Sequence, residues 1–176
     1  ECKRQGRWIP LKEIKLLELL SGKKVILKEG EDLLIPRRSK EEREKNHIIA
    51  INKQIQEYIK NGSKGDLDLR DTPIEKLPNN LIKVGGSLVL DRSKIKNLNN
   101  LKEIRYFLSL EKTQIRELPK NLTVELLDLE DTLVESLPDN LVVKGKIYIK
   151  NTPLSRNKEL VQKYKDKGYI IYNVKI

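Results

Sequence analysis

Apolar and polar positions alternate in a recurring pattern along the C-terminal two-thirds of this chain. Five segments share two aliphatic residues flanking a variable one, a polar turn, a Thr or Ser, and a further aliphatic residue. They read LDLRDTPI (67–74), LVLDRSKI (88–95), LSLEKTQI (108–115), LDLEDTLV (127–134) and IYIKNTPL (147–154), and their first residues lie 19 to 21 positions apart. A period near twenty residues is typical of a solenoid, in which each repeat buries its apolar face by stacking on its neighbours.

Each repeat predicts one strand and one return arm. Alternate residues of a strand point to opposite faces, so we expect Leu67, Leu69 and their equivalents to face inward. Three of the first four repeats continue with Leu-Pro-x-x-Leu, beginning at Leu77, Leu118 and Leu137. Because proline donates no backbone hydrogen bond, it suits a return arm better than a central strand. The sequence therefore predicts an α/β solenoid with a parallel sheet of about five repeats over residues 66–154.

The first 65 residues predict an α+β cap at the N-terminal end of the repeats. An apolar stripe predicts a helix over 11–21, and the short apolar runs 24–27 and 33–36 predict a hairpin. Ser39 followed by Glu42 forms a capping box for a second helix that ends near Lys60. The isoleucines expected on the buried side of that helix are Ile48, Ile49, Ile51, Ile55 and Ile59.

Residues 155–176 predict an α–β cap at the other end. Ser155 is the expected N-cap of a helix over roughly 157–167, and the closing strand reads YIIYNVKI (169–176). Such a unit would cover the exposed edge of the last repeat, as terminal repeats of solenoids require.

The repeat pattern L-x-L-x-x-T-x-I-x-x-L-P-x-x-L resembles the short bacterial leucine-rich repeat. It is most similar to the Thr-variant repeats, with Leu-Pro return arms, of bacterial and phage-encoded proteins, and the resemblance covers roughly residues 66–176. It implies a parallel sheet lining a concave face that binds other proteins, in a chain that is not an enzyme. Thr or Ser replaces the usual turn Asn and makes fewer hydrogen bonds. Some repeats also lack Pro or Gly, so a flatter, β-helix-like coil is the alternative.

The outward side chains of the repeats predict a protein-binding surface. We expect an acidic ladder beside an apolar cluster in adjacent repeats, with the carboxylates selecting a basic patch on the partner. Arg92 and Lys112 are the cations expected to relieve repulsion within the ladder. The alternative is a solvated acidic face with the apolar side chains tucked under neighbouring segments. The predicted binding residues are Val89, Phe107, Leu126, Tyr148, Asp91, Glu111, Asp128 and Glu130.

The excess of positive over negative charge is confined to the flanks of the repeats. The chain has a formal net charge of +10, yet residues 66–154 contain 14 basic and 14 acidic residues. Basic residues near an aromatic can bind single strands by charge and stacking, so nucleic acid or a ribonucleoprotein is a second candidate partner. The alternative is that AT-rich coding produces this composition without selection. The candidate residues are Lys3, Arg4, Arg7, Trp8, Lys23, Lys24, Arg37 and Arg38.

The sequence contains few residues suited to catalysis. His47 and Cys2 are its only histidine and cysteine, which leaves no zinc cluster and no Cys/His nucleophile pair. A paired-carboxylate hydrolase is the less favoured reading. No apolar run is long enough to span a membrane. We therefore expect a non-catalytic protein without cofactor or metal, acting as an inhibitor or host-interaction protein by steric occlusion in the bacterial cytoplasm, with a secreted effector as the alternative. The oligomeric state does not follow from the sequence.

Overall fold

The computed structural model describes residues 6–9, 33–36 and 39–173. The chain divides into two compact units, Glu1–Arg43 and Glu44–Ile176; the domain boundary predicted near residue 65 stays a prediction. In the first unit, β1 (Gly6–Ile9) pairs antiparallel with β2 (Leu33–Pro36). The strand expected at 33–36 is thus confirmed, but its described partner is β1. The segments 11–21 and 24–27, predicted as a helix and a strand, lie outside the described residues.

Helix α1 (Lys40–Lys60) begins where the capping signal predicts. The hydroxyl of Ser39 accepts a hydrogen bond from the backbone N–H of Glu42 at 3.0 Å, which satisfies one of the free donors at the helix N-terminus. Acidic residues in the first turn, Glu41 and Glu42, are also favourable there because the helix dipole is positive at this end.

The buried stripe of α1 is narrower than its isoleucines predict. Ile51 and Ile55 are buried, and Ile48 and Ile59 are half-buried. Ile49, however, is 57% exposed, so its predicted burial is wrong. The four buried or half-buried residues are spaced by three or four, which places them on one side of a helix. Ile49 falls outside that spacing and points away from the stripe.

The second unit is built from two parallel sheets. The chain alternates between them, so that each turn of about twenty residues adds one strand to each sheet. This mixed α/β architecture with open parallel sheets is compatible with the predicted solenoid. The six-stranded sheet contains, in spatial order, β3 (Leu67–Asp68), β5 (Leu88–Val89), β7 (Phe107–Ser109), β9 (Leu126–Asp128), β11 (Lys146–Tyr148) and β12 (Ile170–Tyr172). The four-stranded sheet contains β4 (Lys83–Val84), β6 (Glu103–Ile104), β8 (Thr123–Val124) and β10 (Val142–Val143).

One hydrophobic core lies between the strands and the return arms. The predicted inward pairs are confirmed, because every one of them is buried: Leu67 and Leu69, Leu88 and Leu90, Leu108 and Leu110, Leu127 and Leu129, and Ile147 and Ile149. Val84, Ile104 and Val124 of the four-stranded sheet belong to the same cluster. Both sheets therefore depend on a single core for their stability, since buried apolar area is the main favourable term in folding.

A hydroxyl closes the turn after each strand of the six-stranded sheet. In every repeat the Thr or Ser side chain donates to the carbonyl three residues earlier at 2.6 to 2.7 Å, and the residue before it has a positive φ of 55° to 57°. The hydroxyls thus bond within their own repeat. The ladder between repeats is continued by the backbone, as in the bond from Asp71 N–H to Asp91 O at 3.0 Å.

Two short helices and a last strand close the C-terminal end. Helix α2 (Pro153–Arg156) is capped by Thr152, and α3 (Lys158–Asp166) is capped by Asn157. The prediction of Ser155 as an N-cap is therefore wrong: its hydroxyl donates to the carbonyl of Thr152 at 2.7 Å from within α2. The proline that follows Thr152 starts a short additional helix at residue 153, ahead of α3, which corresponds to the helix expected over 157–167.

The edge of the last repeat is covered by the final strand and by two tyrosines. Strand β12 pairs in parallel with β11, which confirms the covering strand over residues 170–172. The hydroxyl of Tyr164 lies 2.9 Å from the N–H and 3.0 Å from the carbonyl of Leu137. The hydroxyl of Tyr169 donates to the carbonyl of Leu141 at 2.5 Å.

Candidate functional site

The register of the six-stranded sheet places the predicted outward side chains of successive repeats next to one another. Phe107 is the parallel partner of Leu126 on the adjacent strand. One step along each strand, Ser109 lies between Val89 and Asp128, and Tyr148 follows Asp128 on the next strand. Because neighbouring strands are about 5 Å apart, these side chains form one continuous surface. It carries all eight predicted protein-binding residues, and we refer to it as the sheet face.

The apolar members of the sheet face are half-buried. Val89, Phe107, Leu126 and Tyr148 are each partly accessible, with backbone strands on both sides. They are neither sealed in the core nor fully solvated. Aromatic and aliphatic side chains in this state, rimmed by polar groups, are typical of the anchor positions of protein interfaces.

Tyr172 extends the apolar row and was missed from the sequence. Its ring lies 5.7 Å from the ring of Tyr148 at an interplanar angle of 31°. The ammonium of Lys146 lies 5.2 Å from the Tyr172 ring centroid, within the range of a cation–π contact. The residue is in the predicted closing strand, but no repeat pattern there indicates which side chains share the sheet face.

The acidic residues lie close together in the centre of the sheet face. Asp91 accepts hydrogen bonds from the hydroxyl of Ser109 and, at 3.2 Å, from the N–H of Glu111. Asp128 accepts from the N–H of Glu130 at 2.8 Å. Glu130 is only 5% exposed. The predicted ladder is thus present, but it is more buried than a solvated row of carboxylates.

Burial changes the protonation of Asp128. The pKa of this carboxyl is raised from 3.8 to about 6, chiefly by desolvation. The N–H bond from Glu130 lowers it, and the nearby charges of Glu130, Glu111 and Asp91 contribute to the rise. A half-buried carboxylate loses hydration that one backbone hydrogen bond replaces only in part. The centre of the sheet face therefore gains and loses a proton close to neutral pH.

The two cations expected to relieve the acidic ladder act on it in different ways. Lys112 pairs with Glu111 at 2.7 Å. Arg92 pairs instead with Asp71 of the preceding repeat, through two bonds of 2.7 and 2.8 Å. The hydrogen bonds to Asp71 are the main reason that the pKa of Arg92 is raised, and the charges of Asp91 and Glu111 raise it further. Arg92 thus forms no ion pair in the ladder but still acts on it through its charge.

Three of the four carboxylates in the centre form no ion pair with any described residue. Asp91, Asp128 and Glu130 have hydrogen bonds from backbone or hydroxyl groups, or none, but no Lys or Arg of residues 39–173 lies within 4 Å of their oxygens. Buried charges in proteins are ordinarily paired. These three carboxylates therefore have no counter-charge among residues 39–173.

Ser109 is a second residue that sequence reasoning missed. It lies on the outward row yet is only 3% exposed, and its hydroxyl donates to Asp91. The sequence does place it between Phe107 and Glu111, but its burial depends on the bulk of Val89 and Asp128 on either side. Ser109 holds one carboxylate of the sheet face in position.

The predicted basic nucleic-acid residues lie almost entirely outside the described part of the chain. Arg7 and Trp8 are in β1, of which the backbone alone is described. The interpretation of these flanks stays a prediction. The remaining residues of that set are Lys3, Arg4, Lys23, Lys24, Arg37 and Arg38.

Residues 39–173 contain no recognisable metal centre. No group of three or more His, Cys, Asp or Glu side chains in that range is arranged to hold a metal ion, and His47 is exposed on α1. None of the described helices combines the length and the apolar character needed to span a bilayer. Comparisons of the chain with protein-family models, with curated proteins and with solved structures found no match.

Proposed function

We propose that residues 66–176 form a leucine-rich-repeat array of the short bacterial type, and that its sheet face binds a protein bearing basic side chains. One observation carries this proposal. Carboxylates in the centre of the face, Asp128 and Glu130 among them, are half-buried or buried without a cationic partner in the described chain. They adjoin the half-exposed pair Phe107 and Leu126.

The energetics favour an interface at this surface. A carboxylate removed from water without a counter-charge is destabilising, and a cation of a partner would offset that cost while fixing the register of binding. Phe107 and Leu126 would supply the apolar anchor, since a few large side chains near the centre of an interface contribute most of its affinity. Charge would thus select the partner and the apolar pair would hold it.

The mode of action that fits such a surface is occlusion. The protein would act by covering part of its partner, as a non-catalytic inhibitor or host-interaction protein of the bacterial cytoplasm. No step of this mode requires a cofactor, a metal ion or a membrane.

Affinity capture with matched variants tests the proposal. The full chain, Phe107→Ala/Leu126→Ala and Ile82→Ala/Val142→Ala would each be used as bait in nuclease-treated extract of the source cells. The control pair is suitable because Ile82 and Val142 are 41% and 48% exposed and lie away from the sheet face. We expect a protein that the wild type and the control retain and the Phe107/Leu126 variant loses.

Isothermal titration calorimetry with the purified partner then measures how much binding free energy each substitution removes. Losing two anchors should weaken binding by about 2 kcal/mol or more, roughly 30-fold. Glu130→Gln should also weaken it, while Glu103→Gln on the other sheet should not. If the folded Phe107→Ala/Leu126→Ala protein kept wild-type affinity, the sheet face would not be the binding surface.

A further inference from the structure

Equal numbers of acidic and basic residues in the repeats conceal a separation of charge between the two sheets. The sheet face carries five carboxylates over its first four strands and the turns that follow them: Asp68, Asp91, Glu111, Asp128 and Glu130. The four-stranded sheet and its adjoining turns carry Lys64, Lys83, Lys102, Arg105 and Lys144 against Glu103 and Glu125. The sequence count of 14 basic and 14 acidic residues hides this local excess of carboxylates on the first four strands, where Arg70 is paired with Asp68. Lys146 and Lys150 belong to the fifth strand and the turn after it.

The basic residues line an open groove. It has a volume of about 730 Å³ and lies between the loop Gly62–Gly65, which follows α1, and the ends of the strands of the four-stranded sheet. Lys64 enters from the loop, and Lys83, Arg105 and Lys144 enter from the return arms of the first, second and fourth repeats. The parallel register repeats every turn, so cations from separate parts of the sequence line one surface. We call it the basic groove.

Most of the positive charge in the basic groove is available to a ligand. Lys83 pairs with Glu103 at 2.8 Å. Within residues 39–173, no carboxylate forms an ion pair with Lys64, Arg105 or Lys144, and all three are exposed. Glu103, the one acidic residue of the lining, is the partner of Lys83, so the groove keeps an excess of positive charge. A concave surface with such an excess attracts the opposite charge.

An exposed aromatic ring adjoins these cations. Tyr106 is 51% exposed, and the guanidinium of Arg105 lies 5.2 Å from the centroid of its ring. A large aromatic side chain at this exposure contributes little to the core. An accessible ring beside unpaired cations is the combination by which proteins bind single strands, because phosphates meet the charge and a base stacks on the ring.

We propose that the basic groove binds single-stranded nucleic acid. Lys64, Arg105 and Lys144 contact successive phosphates, and a base stacks on Tyr106. The site shares no residue with the sheet face or with the basic residues predicted between Lys3 and Arg38, and it does not depend on the proposed protein partner. Stacking favours a single strand over an acidic protein, which would engage the cations and leave the ring unused.

Fluorescence anisotropy with a labelled 12-nucleotide single strand of mixed sequence, as RNA and as DNA, tests the proposal. In the full chain at about 50 mM salt, Arg105→Ala/Lys144→Ala should weaken binding at least tenfold and lower the slope of log affinity against log salt by about 1.4, since each phosphate contact contributes roughly 0.7 for single strands. Tyr106→Ala should weaken binding roughly fivefold or more with an unchanged salt slope.

A charge-matched control separates the groove from non-specific attraction. Arg116→Ala/Lys120→Ala removes the same two side-chain types from exposed positions outside the groove and should keep wild-type affinity. Circular dichroism should give the same melting temperature for all variants, because the altered residues are exposed. Equal losses in the groove and control variants would overturn the proposal. So would losses confined to Arg37→Ala/Arg38→Ala, or binding of poly-glutamate in preference to the oligonucleotide.

Discussion

The two sheets of the repeat region arise from the same twenty-residue unit but have outer surfaces of different character. The six-stranded sheet presents half-buried carboxylates and apolar side chains. The four-stranded sheet has two residues in each strand. Its outward strand residues are mixed in character, and exposed cations such as Arg105 and Lys144 lie beside the strand ends. Their inward side chains, by contrast, belong to one core. The repeat pattern constrains the inward side chains, which must fill the core. The outward side chains can vary from repeat to repeat, so differences in binding arise from them.

The largest effect should come from the core that the two sheets share. Leu108 of the six-stranded sheet and Ile104 of the four-stranded sheet are 0% and 1% exposed. Leu108→Ala and Ile104→Ala should each lower the free energy of unfolding by about 3 kcal/mol, because both leave a cavity in packed surroundings. Urea denaturation followed by circular dichroism measures this.

A single transition with similar losses would show that both sheets unfold together. If Ile104→Ala cost less than about 1 kcal/mol, or if two transitions appeared, the four-stranded sheet would be an appendage rather than half of the core. Lys102→Ala, at an exposed position just before the strand that contains Ile104, is the control for a general effect of substitution there.

A smaller effect should distinguish the outer surfaces of the two sheets: a carboxyl of the six-stranded sheet should make the free energy of unfolding depend on pH. The pKa of Asp128 is raised to about 6 in the folded protein from an ordinary value of 3.8, so the folded state holds this proton more tightly than the unfolded state. The contribution of this tighter proton binding to the free energy of unfolding is fully present below about pH 3.8. It is lost as the pH rises through about 6. With allowance for partial exposure, the loss should be about 1 to 2 kcal/mol.

Asp128→Asn removes this titration and keeps an oxygen for the N–H of Glu130. It should equal the wild type near pH 4 and exceed it in unfolding free energy at pH 7.5, as measured by urea denaturation at several pH values. Glu125→Gln, an exposed change beside the four-stranded sheet, should leave the profile unaltered. Parallel profiles for the wild type and Asp128→Asn would mean that the sheet face does not desolvate this carboxyl.

The smallest effect concerns the left-handed turns that end each strand of the six-stranded sheet. Lys112 has φ of 57° and an ion pair with Glu111. Both Lys112→Gly and Lys112→Ala remove that pair, so their difference isolates the backbone. Lys112→Gly should be more stable by about 1 kcal/mol, since a Cβ is disfavoured in the left-handed region. Thermal unfolding of the two variants measures the difference, and equal melting temperatures would show that the turn relaxes to another conformation.

Repetition explains why so much of the core could be predicted from sequence. The inward leucines follow from alternation, and five copies of one pattern leave little freedom in the register. The second sheet was predicted only as return arms, because a strand such as Lys83–Val84 is too short to produce an alternating signal. Ile49 and Ser155 were misplaced for local reasons: the first falls off the helical stripe, and the second is preceded by the stronger cap Thr152-Pro153.

The sequence predicted which residues of the candidate site are neighbours, but not how buried they are or which ion pairs they form. The register that places Phe107 beside Leu126 is contained in the repeat spacing. The burial of Glu130 and Ser109 is not, because it depends on the bulk of side chains in neighbouring repeats. Ion pairing was likewise hard to predict, since Arg92 is adjacent to Asp91 in sequence yet reaches Asp71 across the turn. The basic groove was also hidden from the sequence, because its cations come from separate repeats. They lie on one surface only in the folded chain, so a count of charges along the sequence does not reveal them.

The two tyrosines at the C-terminal end determine where the stacking stops. The N–H of Leu77 donates to the carbonyl of Asn97 one repeat further on, at 3.1 Å, whereas the equivalent N–H of Leu137 donates to the hydroxyl of Tyr164. A phenol thus takes the place of the peptide group that a further repeat would bring. Unsatisfied strand edges are templates for the addition of other chains. By occupying these positions, Tyr164 and Tyr169 oppose end-to-end growth of the array into filaments.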